Sequence, residues 1–277
     1  MSYIFLLFTI AGWSIGQTLL KIGFSKSTPI DSFLIGGLCA TVVWTPYIYF
    51  YPPVFKEPLI LFTLTSIVVL GNLTFYYCLN AGELATASAI LGSYPLFTVL
   101  FAVFFMGELL SLKQCSAIIA IIFGVASLSM LSSGAPGNSE KIPKIWLFFS
   151  LISAILVGIG DALTKVIVDN SNASTYIIYY TIFQFFLTIS LKIVFGKTSF
   201  NLDFLKSKFS FMGMFLMTVG GLFFTIALSM GKASIVVPAS SGYLALVSFF
   251  SWFFLNEKMN VLKIASITLI IAGIIAL

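Results

Sequence analysis

Histidine and charged residues are what this sequence has least of. Only 8% of its 277 residues are charged, all 14 basic residues are lysines, and there is no histidine. Without histidine, zinc hydrolases, haem proteins and His-dependent catalytic triads lose their usual ligand or base. The 9 acidic residues are too scattered along the chain to form a catalytic pair. We therefore expect no enzyme activity, no metal site and no cofactor.

Cysteine is also rare, and the basic charge is not arranged for nucleic acid. Cys39, Cys78 and Cys115 lie in or beside apolar segments without CxxC spacing, so they predict neither a disulfide framework nor a metal site. The lysines give a net charge of +5, but they flank apolar segments, as lysines at a membrane surface do. No stripe of basic and aromatic residues lies outside the apolar segments. We expect membrane lipid, and not nucleic acid, as a partner.

Apolar residues are abundant instead, and they fill the whole chain. The sequence is 60% hydrophobic with a mean hydropathy of +1.11, whereas soluble domains are about a quarter charged. A membrane-spanning helix needs about 20 mostly apolar residues. We therefore predict an all-α membrane protein of about ten transmembrane helices. Their predicted ranges are 3–24, 30–51, 58–78, 84–106, 112–130, 146–168, 174–195, 209–230, 234–255 and 261–277.

The two halves of the chain repeat each other. A shift of 149 residues aligns 71–128 with 220–277 without a gap, and it pairs glycines, tyrosines and glutamates in one register. The first helices of the halves match at a shift of 144 residues, which places Gln17 opposite Asp161. Shared apolar composition does not explain paired glycines and polar residues. The match indicates a structural repeat.

Five helices in each repeat have a consequence for topology. An odd number of crossings makes the second repeat enter the membrane upside down, which is the inverted-repeat architecture of many secondary transporters. We predict a first five-helix repeat at 1–131, a linker at 132–145, and a second, inverted repeat at 146–277.

Two motifs resemble the EamA-like, ten-helix branch of the drug/metabolite transporter superfamily. They are Ser93-Tyr94-Pro95-Leu96-Phe97 with Met106-Gly107-Glu108, and Ser241-Gly242-Tyr243 with Leu255-Asn256-Glu257. The resemblance covers nearly the whole chain. It implies a central cavity lined by helices 1, 3, 4, 6, 8 and 9, in the cytoplasmic (inner) membrane of a bacterium. We interpret the glutamate that ends each motif as structural.

Polar side chains at bilayer depth are costly unless they face a cavity or a partner. Asp161 lies deep in the sixth helix and is interpreted either as a site for a proton, a cation or an ammonium group, or as the ion-pair partner of Lys165 one turn away. Lys165 itself either contacts substrate or reaches the membrane surface. Gln17 either binds substrate or joins helices by a hydrogen bond.

Aromatic residues complete the predicted substrate site. Tyr94 and Tyr243 fall at the centres of the fourth and ninth predicted helices, where an alternating-access carrier holds its substrate. A tyrosine offers a ring face and a hydroxyl to an amino acid, a nucleobase or an amine, although each could equally be a packed core residue. Trp13, Asn72 and Tyr76 are further candidates on the first and third helices.

These observations predict a secondary active or facilitative transporter that works by alternating access. Its substrate is expected to be a small organic metabolite, namely an amino acid, a nucleobase or nucleoside derivative, or a small cation. A proton or cation is the candidate coupling ion, and the expected assembly is a monomer or homodimer. One alternative is a membrane scaffold or assembly subunit with the same fold and no transport. An intramembrane enzyme is the other alternative.

Overall fold

The computed structural model describes residues 3–24, 27–81, 91–132, 144–194, 207–255 and 259–277. Every regular element in these ranges is an α-helix. The helices are α1 (Tyr3–Gly23), α2 (Pro29–Phe50), α3 (Pro58–Ala81), α4 (Tyr94–Phe105), α5 (Leu112–Ser132), α6 (Lys144–Asn170), α7 (Ala173–Val194), α8 (Lys208–Met230), α9 (Ala233–Ser240), α10 (Tyr243–Leu255) and α11 (Val261–Ala276).

The helices have the length and composition of membrane spans. Among the described residues, seven apolar segments are long enough to cross a bilayer, one of them formed by α9 together with the first part of α10. Three further apolar helices are shorter. Together these segments fit the ten helices predicted from the sequence, and the prediction of an all-α integral membrane protein is confirmed.

One predicted helix is interrupted in the structure. The sequence predicts a continuous helix over 234–255, but a two-residue turn separates α9 from α10, and Tyr243 is the first residue of α10. This prediction is wrong. A similar turn precedes α4, which begins at Tyr94. Residues 84–90 of the corresponding predicted helix lie outside the described residues.

Small hydroxyl side chains and a proline explain the break between α9 and α10. The hydroxyl of Ser240 donates to the carbonyl of Val237 at 2.8 Å, and that of Ser241 donates to the carbonyl of Pro238 at 2.6 Å. Such bonds give the backbone an alternative to the regular helical ladder. Pro238 has no N–H to donate and so removes one rung of that ladder.

Glycines bring the backbones of the central helices close together. Helix α1 packs along α8, α3 along α6, and α5 along α11. A Cβ atom on Gly16 would lie 2.9 Å from the carbonyl oxygen of Gly213, and one on Gly213 would lie 2.8 Å from that of Gly16. Neither position has room for a larger residue. Close approach at small residues is the usual way in which helices associate inside a membrane.

Polar contacts join both ends of the helices α2 and α7. Where α2 begins and α7 ends, the ammonium of Lys192 lies 2.8 Å from a carboxylate oxygen of Asp31. At the other ends, the hydroxyl of Thr175 donates to the carbonyl of Val54 at 3.0 Å, and the side-chain amide of Asn172 donates to the carbonyl of Pro52 at 2.7 Å. The helix pair is therefore joined by an ion pair at one end and by neutral hydrogen bonds at the other.

A glutamate after α4 holds the beginning of α9. The carboxylate of Glu108 accepts hydrogen bonds from the backbone N–H groups of Ala233 and Ser234 at 2.8 and 2.9 Å. These are among the N–H groups that a helix leaves without internal partners at its first turn. The structural interpretation of Glu108 is confirmed, while its repeat counterpart Glu257 lies outside the described residues.

Candidate functional site

A cavity lies between the central helices. The space open to the centre of a water molecule is about 120 Å³, roughly ten times what one water molecule needs. It is therefore large enough for a small organic molecule. The residues that line it come from eight helices: Trp13 and Gln17 (α1), Gly36 and Trp44 (α2), Asn72, Phe75 and Tyr76 (α3), Tyr94 (α4), Val157 and Asp161 (α6), Tyr176, Tyr180 and Gln184 (α7), Met214, Met217, Thr218, Gly221, Phe224 and Thr225 (α8), and Tyr243 (α10).

Nine of the twenty lining residues are aromatic. The indole of Trp13 packs edge-on against the ring of Tyr243, with 5.5 Å between centroids, and lies 4.9 Å from the ring of Phe224. On the α7 side, Tyr180 lies 5.7 Å from Tyr176 and 5.8 Å from the indole of Trp44. Aromatic pairs in this distance range add to the stability of the fold beyond what their buried apolar area contributes. The rings are therefore positioned by each other before any ligand enters.

Asp161 is the single acidic residue among the lining residues, and no lysine lies among them. Within the described part of the chain, no hydrogen bond or ion pair reaches its carboxylate. Lys165 instead lies 2.6 Å from Asp169, one turn further along α6. The alternative interpretation of Asp161 as the ion-pair partner of Lys165 is therefore wrong. The carboxylate is left facing the cavity.

Four tyrosines line the same cavity as this carboxylate. They are Tyr94, Tyr176, Tyr180 and Tyr243, which come from three different helices. A phenol can donate a hydrogen bond to a carboxylate, a carbonyl or a ligand. The cavity therefore combines one acidic side chain with hydroxyl and amide groups in a wall that also carries apolar and aromatic side chains.

The two helix breaks border the cavity. Tyr94 and Tyr243 are the first residues of α4 and α10, and both side chains are 3% exposed. The sequence places them at helix centres, whereas the structure places each at the start of a helix segment. The side chain of Gln17 lies beside the hydroxyl of Tyr243. Helix breaks at the substrate site are a recurring feature of secondary transporters.

Two polar atoms at the cavity wall have no hydrogen-bond partner among the described residues. They are the hydroxyl oxygen of Tyr94 and the side-chain carbonyl oxygen of Gln184. Native proteins pair the large majority of their buried polar atoms. The Tyr94 hydroxyl lies next to the side chain of Ser240, so Gln184 is the clearer case of an unpaired acceptor on a residue of the cavity wall. No cluster of three metal-ligating side chains is present in the described ranges.

Comparison with known proteins gives the family of the chain. The profile of the EamA-like transporter family matches residues 1–130 and 144–277. The chain belongs to this family. The resemblance inferred from the two motifs is confirmed, and so is the assignment as a transmembrane member of the drug/metabolite transporters.

Two further similarities describe this EamA-like protein. It is 27% identical over 169 residues to a probable amino-acid metabolite efflux pump of Escherichia coli (strain K12), a match that covers 60% of the chain and 54% of the relative. The match therefore spans about half the length of that curated relative. A protein crystal structure at 13% identity has a TM-score of 0.76 and covers 99% of the chain and 94% of its own. That likeness extends to the fold alone.

The structure brings most of the predicted site residues to one place. The cavity is lined by seven of them: Trp13, Gln17, Asn72, Tyr76, Tyr94, Asp161 and Tyr243. Lys165 lies apart from the lining residues, because its ammonium pairs with Asp169 near the end of α6. The predicted set therefore describes one wall of the cavity, with Lys165 outside it.

The α2 and α7 side of the cavity is not anticipated by the sequence analysis. Trp44, Tyr176, Tyr180 and Gln184 line it, although the family resemblance implies a cavity without these two helices. A signal was present in the sequence. The three α7 residues follow one another at intervals of four, which places them on one face of a helix.

Proposed function

We propose that this EamA-like protein is a secondary carrier that moves a small organic metabolite across the membrane by alternating access. The observation that carries the proposal is the cavity itself, which both halves of the chain line and which contains Asp161. An ionisable group inside a membrane bundle is costly to keep and by default has a function. We also propose the inner membrane of a bacterium as its location.

Helix pairing supports two inverted halves within this carrier. We take α1 to α3 as counterparts of α6 to α8, α4 as the counterpart of α10, and α5 as that of α11. Helix α1 packs on α8 as α6 packs on α3, and α1 packs on α10 as α6 packs on α4. Replacing each helix by its counterpart turns the α1–α8 pair into the α6–α3 pair, and the α1–α10 pair into the α6–α4 pair. A twofold relation in the membrane plane accounts for this correspondence.

The contact between α5 and α11 supports the same relation. A Cβ atom on Gly124 would lie 2.8 Å from the side chain of Ile270, and one on Gly273 would lie 2.6 Å from the side chain of Ile121. Each glycine is 149 residues from the other, and so is each isoleucine. A contact in which the same patch meets itself is what a twofold axis produces.

The chemistry of the cavity narrows the range of candidate substrates. Aromatic rings are the commonest kind of side chain in the wall, and the one charged residue among the described lining residues is acidic. Rings of this kind attract cations. Amino acids and small cations, which carry a protonated amino group, fit this environment better than uncharged nucleobases. A proton is the alternative occupant of Asp161 and the candidate coupling ion.

A non-transporting scaffold is the competing function. A scaffold has no need of an acidic, partly hollow centre, because filling a cavity and removing an intramembrane charge both stabilise a bundle. Uptake of a metabolite panel into proteoliposomes decides between them. A carrier accumulates or exchanges at least one metabolite above protein-free liposomes, whereas a scaffold leaves every metabolite at the control level.

The tyrosines at the helix breaks provide the matched variants for that assay. Tyr94→Ala or Tyr243→Ala removes a ring from the cavity wall and should weaken substrate affinity several-fold, because a cation contributes about 0.5–2 kcal/mol per ring. Tyr49→Ala is the control, since Tyr49 is 80% exposed on the outside of α2. Equal affinities for the folded variants would place the substrate elsewhere.

A further inference from the structure

We propose that the substrate is a small organic cation with a hydrogen-bond donor at each end, one end bound by Asp161 and the other by Gln184. This inference rests on the proposed carrier function and names the substrate class of the same cavity. It also assigns to Gln184 a role in specificity.

The amide of Gln184 is held in one orientation. Its Nε2 donates to the backbone carbonyl of Phe33 on α2 at 2.8 Å. This bond points the side-chain nitrogen towards α2 and leaves Oε1 as the free end of the amide. That oxygen is buried and unpaired among the described residues. Gln184 is therefore a fixed acceptor at the cavity wall.

An acceptor of this kind selects for donors. An amide oxygen cannot donate a hydrogen bond, and a buried acceptor without a partner is unfavourable until a donor reaches it. The carboxylate of Asp161 likewise accepts when it is ionised. A ligand that satisfies both groups must present two donors. Ammonium groups suit both, since hydrogen bonds from a charged donor are stronger than neutral ones.

The charge of the cavity disfavours an acidic second end. No lysine lies among the described residues that line the cavity, so none of these offers a substrate carboxylate a cationic partner. The helix starts at Tyr94 and Tyr243 are the features of the wall that could attract a carboxylate, through the partial positive charge of a helix N-terminus. An amino-acid probe tests that possibility directly.

A flexible side chain lies beside Gln184. A Cβ atom on Gly36 would lie 3.0 Å from Nε2 of Gln184 and 2.5 Å from the terminal methyl of Met214. The amide and the end of the Met214 side chain therefore lie side by side over Gly36. Methionine is flexible and adapts to different neighbours. In this proposal, rotation of the Met214 side chain admits a donor group to the buried amide oxygen.

Three probes of equal chain length test the proposal on the purified full-length protein. They are 1,5-diaminopentane, 1-aminopentane and 5-aminopentanoate, which end in a donor, a methyl and a carboxylate. We expect the diamine to bind at least about tenfold tighter than the monoamine, a difference of about 1.4 kcal/mol, and the amino acid to bind most weakly. The series is repeated with chains of about three to seven carbons to match the span between the two acceptors.

Two variants then test which residue binds each end of the diamine. Gln184→Met should reduce the preference for the diamine over the monoamine to less than about threefold. Asp161→Asn should weaken both amines. The comparison on the unaltered protein stands by itself if Gln184→Met does not fold.

The outcomes separate this inference from the function on which it rests. Equal binding of diamine and monoamine at every chain length, or an unchanged preference in Gln184→Met, overturns the role of Gln184. Tightest binding of 5-aminopentanoate overturns the substrate class and leaves the carrier function standing. Absence of binding by every probe, together with absence of transport across the metabolite panel, overturns both.

Discussion

Replacing Gly158 by alanine should displace α4 and damage the cavity. The Cβ atom of an alanine there would meet the carbonyl oxygen of Tyr94 well inside contact distance, and would lie 2.8 Å from Cβ of Phe97 and 3.2 Å from the backbone nitrogen of Thr98. Most of these atoms belong to backbone and cannot rotate away. The hydroxyl of Thr98 also donates to the carbonyl of Gly158 at 2.7 Å, which fixes the two helices at this point.

The expected loss of stability in Gly158→Ala follows from a comparison with Gly160 on the same helix. Non-bonded carbon atoms prefer about 3.5–4.0 Å, so α4 must move by about 1 Å to accept a methyl group at Gly158. Overpacking of this kind costs about 1–3 kcal/mol. At Gly160 the nearest atom to an added Cβ is the Cα of Val68 at 3.4 Å, an ordinary contact. Both substitutions gain the same helix propensity, about 1 kcal/mol, so their difference isolates the clash.

Unfolding of the two purified variants in mixed detergent micelles measures this difference. Gly160→Ala should be as stable as the original protein or slightly more so. Gly158→Ala should be about 1–3 kcal/mol less stable than Gly160→Ala, and its affinity for substrate should fall because Tyr94 begins α4 at the cavity wall. A Gly158→Ala variant at least as stable as Gly160→Ala would refute the packing argument.

Three further predictions concern the cavity, the repeat and the start of α9. Asp161→Asn should abolish the dependence of transport on pH and substrate charge without loss of stability. The control Asp169→Asn, which changes the half-exposed partner of Lys165, should leave transport unchanged. Loss of folding in Asp161→Asn would favour a structural role for Asp161. Gly124→Ala and Gly273→Ala should change stability by similar amounts, an overpacking cost of about 1–3 kcal/mol less the gain of about 1 kcal/mol in helix propensity. A clear loss of stability in only one of the two variants, measured by unfolding in micelles, would contradict a twofold contact. Glu108→Ala should cost about 1–2 kcal/mol through the lost hydrogen bonds to the first turn of α9, and an unchanged unfolding curve would show that the cap is dispensable.

Hydropathy predicts the helical spans of this fold from the sequence. Runs of about 20 apolar residues leave a chain little choice but to form spanning helices, because every backbone polar group in lipid must be paired within the segment. The break at Ser241 is missed because an apolar run does not distinguish one helix from two. The local signal is chemical: consecutive serines beside Pro238 compete with the helical hydrogen bonds.

The candidate site is predicted on one side and missed on the other for a physical reason. Gln17 and Asp161 stand out because they are polar in apolar helices. Tyr176 and Tyr180 do not, since tyrosine is common in membrane proteins at the interface. The partner of Lys165 is also ambiguous in sequence, because acids lie four residues to either side of it. Asp169 lies near the end of α6, where water reaches the pair, and Asp161 lies among tyrosine rings.

The polar contacts at the two ends of α2 and α7 make this protein unequal between the ends of that helix pair. The end held by Asp31 and Lys192 carries an ion pair whose side chains are 21% and 9% exposed, so dissolved salt screens it only slightly. Neutralising Asp31 by substitution therefore loosens this end and leaves the hydrogen bond of Thr175 at the other end intact. In the carrier that we propose, contacts of unequal strength give the two orientations different energies in the absence of substrate.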